Sequence, residues 1–289
     1  MAEDKTLALA RHYVEVDRAK DALAALERAS GDELEHTEFW LIRTEALLQL
    51  EQYRDAIEAA QSGLARDPED ISLLSALAIG QIELGEYDPA DKTLAAALEL
   101  DPDNSILHSQ RAIGLARKGD FGAARAAVDD AMRIAPGWAP VLRARAQVAV
   151  LSGDRNAARY VDEFLAEDPD DPVGHALKGN LAIDQKRFVP AARAFSEAAR
   201  LEPADAELAS VAREARVAAH PVLAPARAMW RFGRWRSWFL YLTIGFALAA
   251  ARLDTLRIAL VIVWLTIVAL SWFGPPLLRW RERRRYGGF

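Results

Sequence analysis

The chain of 289 residues contains no cysteine, and its five histidines are scattered along the sequence. The lack of cysteine excludes disulfides, thiol chemistry and the usual zinc-binding spacings. No glycine-rich phosphate loop precedes a predicted helix, and no nucleophile elbow is present. The sequence therefore predicts no catalytic, cofactor-binding or metal-binding site and a protein that is not an enzyme, with an enzyme that has an unrecognised site as the alternative.

Acidic residues outnumber basic residues in the first three-quarters of the chain. Residues 1–220 contain 25 Lys and Arg against 40 Asp and Glu, whereas residues 221–289 contain 11 Arg against only two acidic residues. The composition therefore changes sharply near Pro221, from a net charge of −15 to one of +9. Because phosphates repel an acidic surface, the first part is not expected to bind nucleic acid.

Proline recurs through the acidic part with a nearly constant spacing of about 34 residues. These prolines are Pro68, Pro102, Pro136, Pro169 and Pro203. Glycine keeps the same step at Gly85, Gly119 and Gly153, and alanine keeps it at Ala56, Ala90, Ala124 and Ala158, with Ala191 one position short of the next step. A period of this length indicates a repeated supersecondary unit.

Residues 71–104 show what one unit contains. Apolar residues at helical spacing are followed by Gly85, which suits the left-handed conformation that ends a helix. Asp88-Pro89 predicts the start of a second helix, and Asp101-Pro102 predicts its end. One such helix pair cannot bury its own apolar face, so each repeat is expected to stack on the next.

The period, the aromatic at Tyr53, Tyr87 and Phe121, the alanines and the closing proline resemble the tetratricopeptide repeat (TPR). The resemblance implies an all-α fold: a TPR-type α-solenoid of about six helix pairs and a capping helix, followed here by a C-terminal transmembrane helical hairpin. The fifth repeat is one residue short and has Arg155 where an aromatic is expected, and we place the missing residue in the turn between its helices. The predicted segments are the solenoid (3–205), the capping helix (206–220), a basic Trp-rich juxtamembrane segment (221–237), two membrane-spanning helices (238–278) and a basic tail (279–289).

Two stretches of the tail carry no charge, residues 237–251 and residues 258–278. The second is apolar on all sides and is long enough to cross a bilayer, whereas the first is shorter than the roughly 20 residues that a span usually needs. A membrane hairpin explains the pair best, because flanking Arg and Trp residues can extend the first stretch into the interface. The alternatives are one span with an interfacial or re-entrant helix, and a soluble helix pair packed on the solenoid.

Arginines border the predicted anchor on both sides, whereas the connecting turn has only Arg252 and Arg257, offset by Asp254. The flanking residues singled out are Arg231, Arg234, Trp235, Arg236, Arg279, Arg281 and Arg283. The positive-inside rule then places both termini and the repeats in the cytoplasm. Arg outnumbers Lys 30 to 6, a bias common in GC-rich bacteria, which suggests a multi-pass protein of a bacterial inner membrane. Anionic lipid headgroups are the expected partner of the basic tail, with RNA as the alternative.

The resemblance implies a concave groove lined by the first helix of each pair. The residues predicted to bind a protein or peptide partner there are Glu45, Ile79, Ile82, Ile113, Arg143, Gln147 and Asn180. A carboxylate clamp for an acidic chaperone tail is not expected, because Leu41 and Glu45 occupy positions that would carry its Lys and Asn. An amphipathic helix or an apolar extended segment, oriented by Glu45 and Arg143, is the predicted ligand. The alternative is that the isoleucines only pack between neighbouring helices.

These features predict a membrane-anchored adaptor or scaffold that holds a protein partner at the cytoplasmic face of the membrane. The alternative is the cytoplasmic arm of a larger membrane complex that assembles through the hairpin. The two differ in where the partner attaches, so deletion of residues 221–289 preserves partner binding in the first case and abolishes it in the second.

Overall fold

The computed structural model describes residues 5–29, 31, 33–224 and 254–286, and these residues form α-helices and two short 3-10 turns with no strand. In chain order the α-helices are α1 (Lys5–Glu15), α2 (Ala19–Leu26), α3 (Thr37–Gln49), α4 (Tyr53–Leu64), α5 (Ile71–Glu83), α6 (Tyr87–Leu100), α7 (Ser105–Lys118), α8 (Phe121–Ile134), α9 (Ala139–Leu151), α10 (Ala157–Glu167), α11 (Pro172–Asp184), α12 (Phe188–Leu201), α13 (Ala206–Ala219) and α14 (Asp254–Tyr286). The 3-10 turns are Glu33–Glu35 and Pro221–Leu223. The prediction of an all-α protein is confirmed.

The chain divides into two compact units, Met1–Glu167 and Asp168–Phe289. In the first unit each odd-numbered helix pairs with the helix that follows it, and each second helix also contacts the first helix of the next pair. The first helices contact one another in turn, α1 with α3, α3 with α5, α5 with α7 and α7 with α9. Helix pairs therefore stack in this unit as the repeat period predicts.

Alanine holds the stacked pairs close together. The second helices bury an alanine near their start in every pair of the first unit, at Ala22, Ala56, Ala90, Ala124 and Ala157. The first helices bury Ala78, Ala112 and Ala146 at equivalent positions. Side chains this small let neighbouring backbones approach, and larger residues such as Leu94 and Leu107 fill the remaining core.

The fifth pair shows where its missing residue lies. Gly153 follows Gly119 by one full period and has the same left-handed backbone, whereas the buried Ala157 follows Ala124 by one position less. The lost residue is thus in the turn between α9 and α10, as predicted. Ala158, which follows Ala124 by one full period in the sequence, is exposed, and Ala157, 1% exposed, occupies the buried alanine position of α10.

The turn inside every pair contains one residue with positive φ. These residues are Asp17, Glu51, Gly85, Gly119, Gly153 and Lys186, with φ between 57° and 94°. The left-handed conformation predicted for Gly85 is confirmed (φ 79°). The predicted start of α6 was late, since the helix begins at Tyr87 and not at Asp88-Pro89. Pro89 is tolerated as the third helical residue because the first N–H groups of a helix have no intrahelical acceptor.

In the second unit α12 packs between α11 and α13, and α14 contacts both α13 and the turn Pro221–Leu223. Leu223 forms a small buried cluster with Val217 of α13 and Leu278 of α14. A Cβ atom at Gly274 would lie 2.6 Å from Cδ2 of Leu223, so the absence of a side chain there permits the contact. The last helix therefore docks against the end of α13.

Helix α14 contains Pro275 and Pro276 and continues to Tyr286. Its segments Ile258–Leu270 and Trp272–Leu278 are bent by 41° relative to each other. The bend lies near residue 271, four positions before Pro275, where the proline ring and its missing N–H disrupt the helical hydrogen bonding. No single helix in the described ranges has the length and hydropathy of a membrane span, whereas this bent pair together meets both criteria by length and composition.

The rest of the predicted anchor is only partly described. The first apolar stretch, residues 237–251, lies outside the described residues together with Arg231, Arg234, Trp235 and Arg236. Arg279, Arg281 and Arg283 belong to α14, so the helix extends through most of the segment that we predicted as a tail. The membrane hairpin accordingly stays a prediction.

Candidate functional site

Four of the predicted partner-binding residues occupy equivalent positions of successive first helices. Glu45, Ile79, Ile113 and Gln147 are each one full period apart, on α3, α5, α7 and α9, and all four are half-buried. Because these helices contact one another in turn, equivalent positions lie side by side across the first unit. We call these four residues the first-helix row.

The centre of the first-helix row is apolar. Ile79 and Ile113 are half-buried, which leaves part of each side chain open to a ligand. Ile82, one turn further along α5, is only 5% exposed, and a Cβ atom at Gly114 would lie 3.1 Å from its Cδ1. Ile82 therefore fills the space between α5 and α7, and we leave it out of the open surface.

Serines next to the row form hydrogen bonds within the protein. Gln110 Nε2 of α7 donates a hydrogen bond of 2.8 Å to Ser75 Oγ of α5, which links two neighbouring first helices. Ser109 is buried and donates to the carbonyl oxygen of Ser105 at 2.7 Å. The bond between Gln110 and Ser75 joins two helices of the stack, whereas that of Ser109 stays within α7. Both leave the isoleucines as the accessible feature of the row.

An unusual carboxylate stands at the α3 end of the row. Burial raises the pKa of Glu45; Arg11 of α1 opposes the rise and Glu15 adds to it. Arg11 is also engaged by Glu38, with its Nη2 3.0 Å from Oε1. Glu45 is thus an incompletely compensated carboxylate that a positive group on a ligand would stabilise.

The α9 end of the row is basic, whereas the α3 end is acidic. Arg143 is half-buried one helical turn before Gln147. The side-chain oxygen of Gln147 is buried and has no hydrogen-bond partner among the described residues. A buried acceptor without a partner costs about 1–3 kcal/mol. Because this oxygen is enclosed by the protein, Arg143 is the group at this end that a ligand can contact.

Asn180 follows Gln147 by one position less than a full period but belongs to the second unit. It is exposed on α11 and lines a cavity of about 400 Å³ together with Ile183, Phe195, Leu223 and Pro275. The sequence did not indicate this cavity, because its wall requires the contact between α14 and the end of α13. In the described part of the chain no group of His, Asp and Glu residues could hold a metal ion.

Comparison with known proteins supports the repeat assignment. The family model of the tetratricopeptide repeat matches residues 47–112, whereas no curated protein matches the chain significantly. Among solved structures, the thermophilic TPR protein TTC0263 of Thermus thermophilus is 25% identical, with a TM-score of 0.56 over 62% of this chain and 98% of its own. A tetratricopeptide repeat protein of Parabacteroides merdae ATCC 43184 is 16% identical, with a TM-score of 0.64 over 73% and 85%.

PilW, described as a widely conserved type IV pilus biogenesis factor, is 20% identical, with a TM-score of 0.57 over 72% of this chain and 97% of its own. At these identities the second and third structures show a shared fold only. The family model thus identifies residues 47–112 as tetratricopeptide repeat sequence, a repeat that mediates protein–protein interactions and scaffolding in other proteins. The solved structures show the same fold over 62–73% of this chain.

Proposed function

We propose that this protein is a membrane-anchored adaptor whose first-helix row binds an amphipathic helix or an apolar extended segment of a protein partner. The observation that carries the proposal is the half-buried pair Ile79 and Ile113 at the centre of the row. Apolar side chains at equivalent positions of neighbouring helices form a strip that matches the apolar face of such a segment.

The two ends of the row would orient the bound partner segment. Glu45 at the α3 end favours a basic group, because burial has left its carboxylate poorly stabilised. Arg143 at the α9 end favours an acidic group. The partner segment therefore has a basic residue, an apolar stretch and an acidic residue, in the order set by α3, α5, α7 and α9.

Helix α14 supports the membrane part of the proposal. Its exposed large apolar side chains, each more than half exposed, are Leu256, Ile258, Ile262, Val263, Leu265, Trp272, Phe273 and Leu277. Large exposed apolar side chains concentrated on one helix mark contact with a membrane or with another protein. In our proposal, residues 238–278 cross a bacterial inner membrane twice, both termini are cytoplasmic, and anionic headgroups surround the arginines on either side.

The same surface favours a second candidate function. Exposed apolar side chains on α14 also suit packing against membrane helices of other subunits, and the repeats would then be the cytoplasmic arm of a larger complex. Deletion of residues 221–289 separates the two: an adaptor keeps its partner through the row, whereas an arm loses it with the anchor.

Crosslinking in native membranes tests the adaptor function. The full chain with Ile79→Glu and Ile113→Glu is expected to lose its crosslinked partner while its melting temperature stays unchanged. Leu151→Glu is the matched control, because Leu151 is exposed at the end of α9 and outside the row. Unchanged crosslinking in the double variant, or a fall of many degrees in its melting temperature, would contradict a binding role for these isoleucines.

A further inference from the structure

The cavity of about 400 Å³ in the second unit lies where the repeats meet α14. Its wall is formed by α11, α12, α13, the turn at Leu223 and Pro275 of α14. Phe195 and Leu223 are buried in it, 5% and 2% exposed, so the interior is apolar and fixed by the core. The volume falls within the roughly 300–1,000 Å³ of pockets that hold small molecules.

Among the described residues that line the cavity, only Asn180 and Glu214 have polar side chains. Both residues are exposed, so they stand where the cavity opens to solvent. An apolar interior with a polar mouth suits a ligand that has a hydrocarbon chain and one polar end. A carboxylate at the mouth disfavours a ligand with a negatively charged end and favours an amine.

We propose that this cavity holds an acyl chain of a membrane phospholipid, with an amine-bearing headgroup at Asn180 and Glu214. The proposal rests on the membrane anchoring proposed above. Helix α14 indicates where the acyl chain would come from. Pro275 forms part of the cavity wall, while the neighbouring Trp272, Phe273 and Leu277 are exposed on the same helix. The segment that would contact the bilayer thus also borders the cavity, and a lipid chain needs only a short path into it.

Photocrosslinking of the full chain in lipid nanodiscs tests the assignment. The probe is phosphatidylethanolamine with a diazirine in its acyl chain, and the labelled peptides are identified by mass spectrometry. Adducts are expected at Val211 and Leu223, in the cavity, and at Trp272 and Phe273, on the exposed surface of α14.

Two substitutions on α13 separate cavity binding from general contact with lipid. Ala218→Phe places a ring in the cavity and is expected to reduce the adducts at Val211 and Leu223 several-fold, because the ring occupies part of the space that the acyl chain would take. Ser210→Phe is the matched control; Ser210 is exposed and does not line the cavity, so labelling should persist. Adducts on α14 should persist in both variants.

The outcomes distinguish this proposal from the one on which it rests. Adducts on α14 without adducts in the cavity, or cavity adducts that survive Ala218→Phe, would overturn the lipid site alone. Absence of adducts on α14 as well would overturn the membrane anchoring. A photoreactive leucine at position 223 that crosslinks to a protein segment instead of lipid would assign the cavity to a peptide and overturn the lipid proposal.

The headgroup assignment has its own measurement. A phosphatidylglycerol probe with the same diazirine chain is expected to label Val211 and Leu223 several-fold less than the phosphatidylethanolamine probe, and Glu214→Gln should remove that preference. Equal labelling by the two probes in the unsubstituted chain would overturn the role of Glu214.

Discussion

The ring of Phe195 packs directly onto the backbone of Gly179: a Cβ atom at position 179 would lie 2.7 Å from Cζ of the ring and 2.8 Å from both Cε atoms. In three earlier repeats the equivalent pairs are Ala78 with Leu94, Ala112 with Val128, and Ala146 with Val161, and all six residues are buried. The sixth repeat therefore combines a larger side chain on its second helix with a smaller one on its first.

This exchange of side-chain size predicts that substitutions at Gly179 and Phe195 have coupled effects on stability. Gly179→Ala should destabilise the protein, because overpacking costs about 1–3 kcal/mol and three atoms of a rigid buried ring are too close, while the gain in helix propensity is only about 1 kcal/mol. Adding Phe195→Leu restores the alanine–leucine combination of the third repeat and should recover most of the loss. Urea denaturation of the two single variants and the double variant measures the coupling.

The sign of the coupling energy between Gly179→Ala and Phe195→Leu decides the outcome of this double-mutant cycle. Additive effects of the two substitutions, or a stabilising effect of Gly179→Ala, would show that the ring relaxes without cost. The expected result is that alanine at position 179 is tolerated with leucine at position 195 and not with phenylalanine.

Non-glycine residues in the left-handed turns provide a second prediction. Lys186→Gly should raise stability by about 0.5–1 kcal/mol. The left-handed conformation costs roughly 1–2 kcal/mol for a residue with a Cβ atom, and glycine removes this cost. Part of the gain is offset because glycine loses more conformational entropy on folding. Gly119→Ala at the equivalent position should lower stability by about 1 kcal/mol. Thermal and urea denaturation report both changes.

The control for these turns is glycine in a helix. Lys92 is exposed within α6, and Lys92→Gly should lower stability by about 1 kcal/mol, opposite in sign to Lys186→Gly. If both substitutions destabilise the protein equally, backbone strain at Lys186 is absent.

The raised pKa of Glu45 predicts that the stability of the protein depends on pH. Burial raises its pKa above the usual 4.5, so between the unfolded and folded pKa values the folded state binds more protons and stability falls as pH rises. Glu45→Gln should therefore have a higher melting temperature than the unsubstituted protein at pH 7, and the difference should shrink below pH 4.5. A variant less stable than the unsubstituted protein at pH 7 would mean that the Arg11 attraction outweighs burial.

Membrane topology follows from the arginine distribution and can be measured by cysteine labelling, which is free of background because the chain has no cysteine. In intact cells, Thr255→Cys is expected to react with an impermeant thiol reagent, whereas Gly287→Cys should react only after permeabilisation. The reverse pattern would contradict a cytoplasmic location of the repeats.

Much of the helical framework could be predicted because its signals are local. Gly85 and Asp101-Pro102 mark helix ends through their own backbone preferences, and the constant period assigns the same role to their equivalents. The start of α6 was predicted less well, since Asp88 and Pro89 are suited to the first turn of a helix without defining its first residue.

The candidate site was predictable only as a set of positions. Ile79 and Ile82 look alike in the sequence, and the approach of Gly114 from the next first helix is what buries Ile82 and leaves Ile79 partly open. The shift from Ala158 to Ala157 likewise depends on how α10 rotates once the turn loses a residue.

The sequence by itself determined the repeat unit, the helix pairs and the division of charge near Pro221, because periodicity, helix-ending residues and composition act within short segments. Only the tertiary structure decided which apolar residues remain open, how Gly179 accommodates Phe195, and that Gly274 lets α14 pack against Leu223 beside a cavity. These features depend on contacts between residues that are distant in the chain, where the shape of the partner side chain sets the outcome and no local pattern records it.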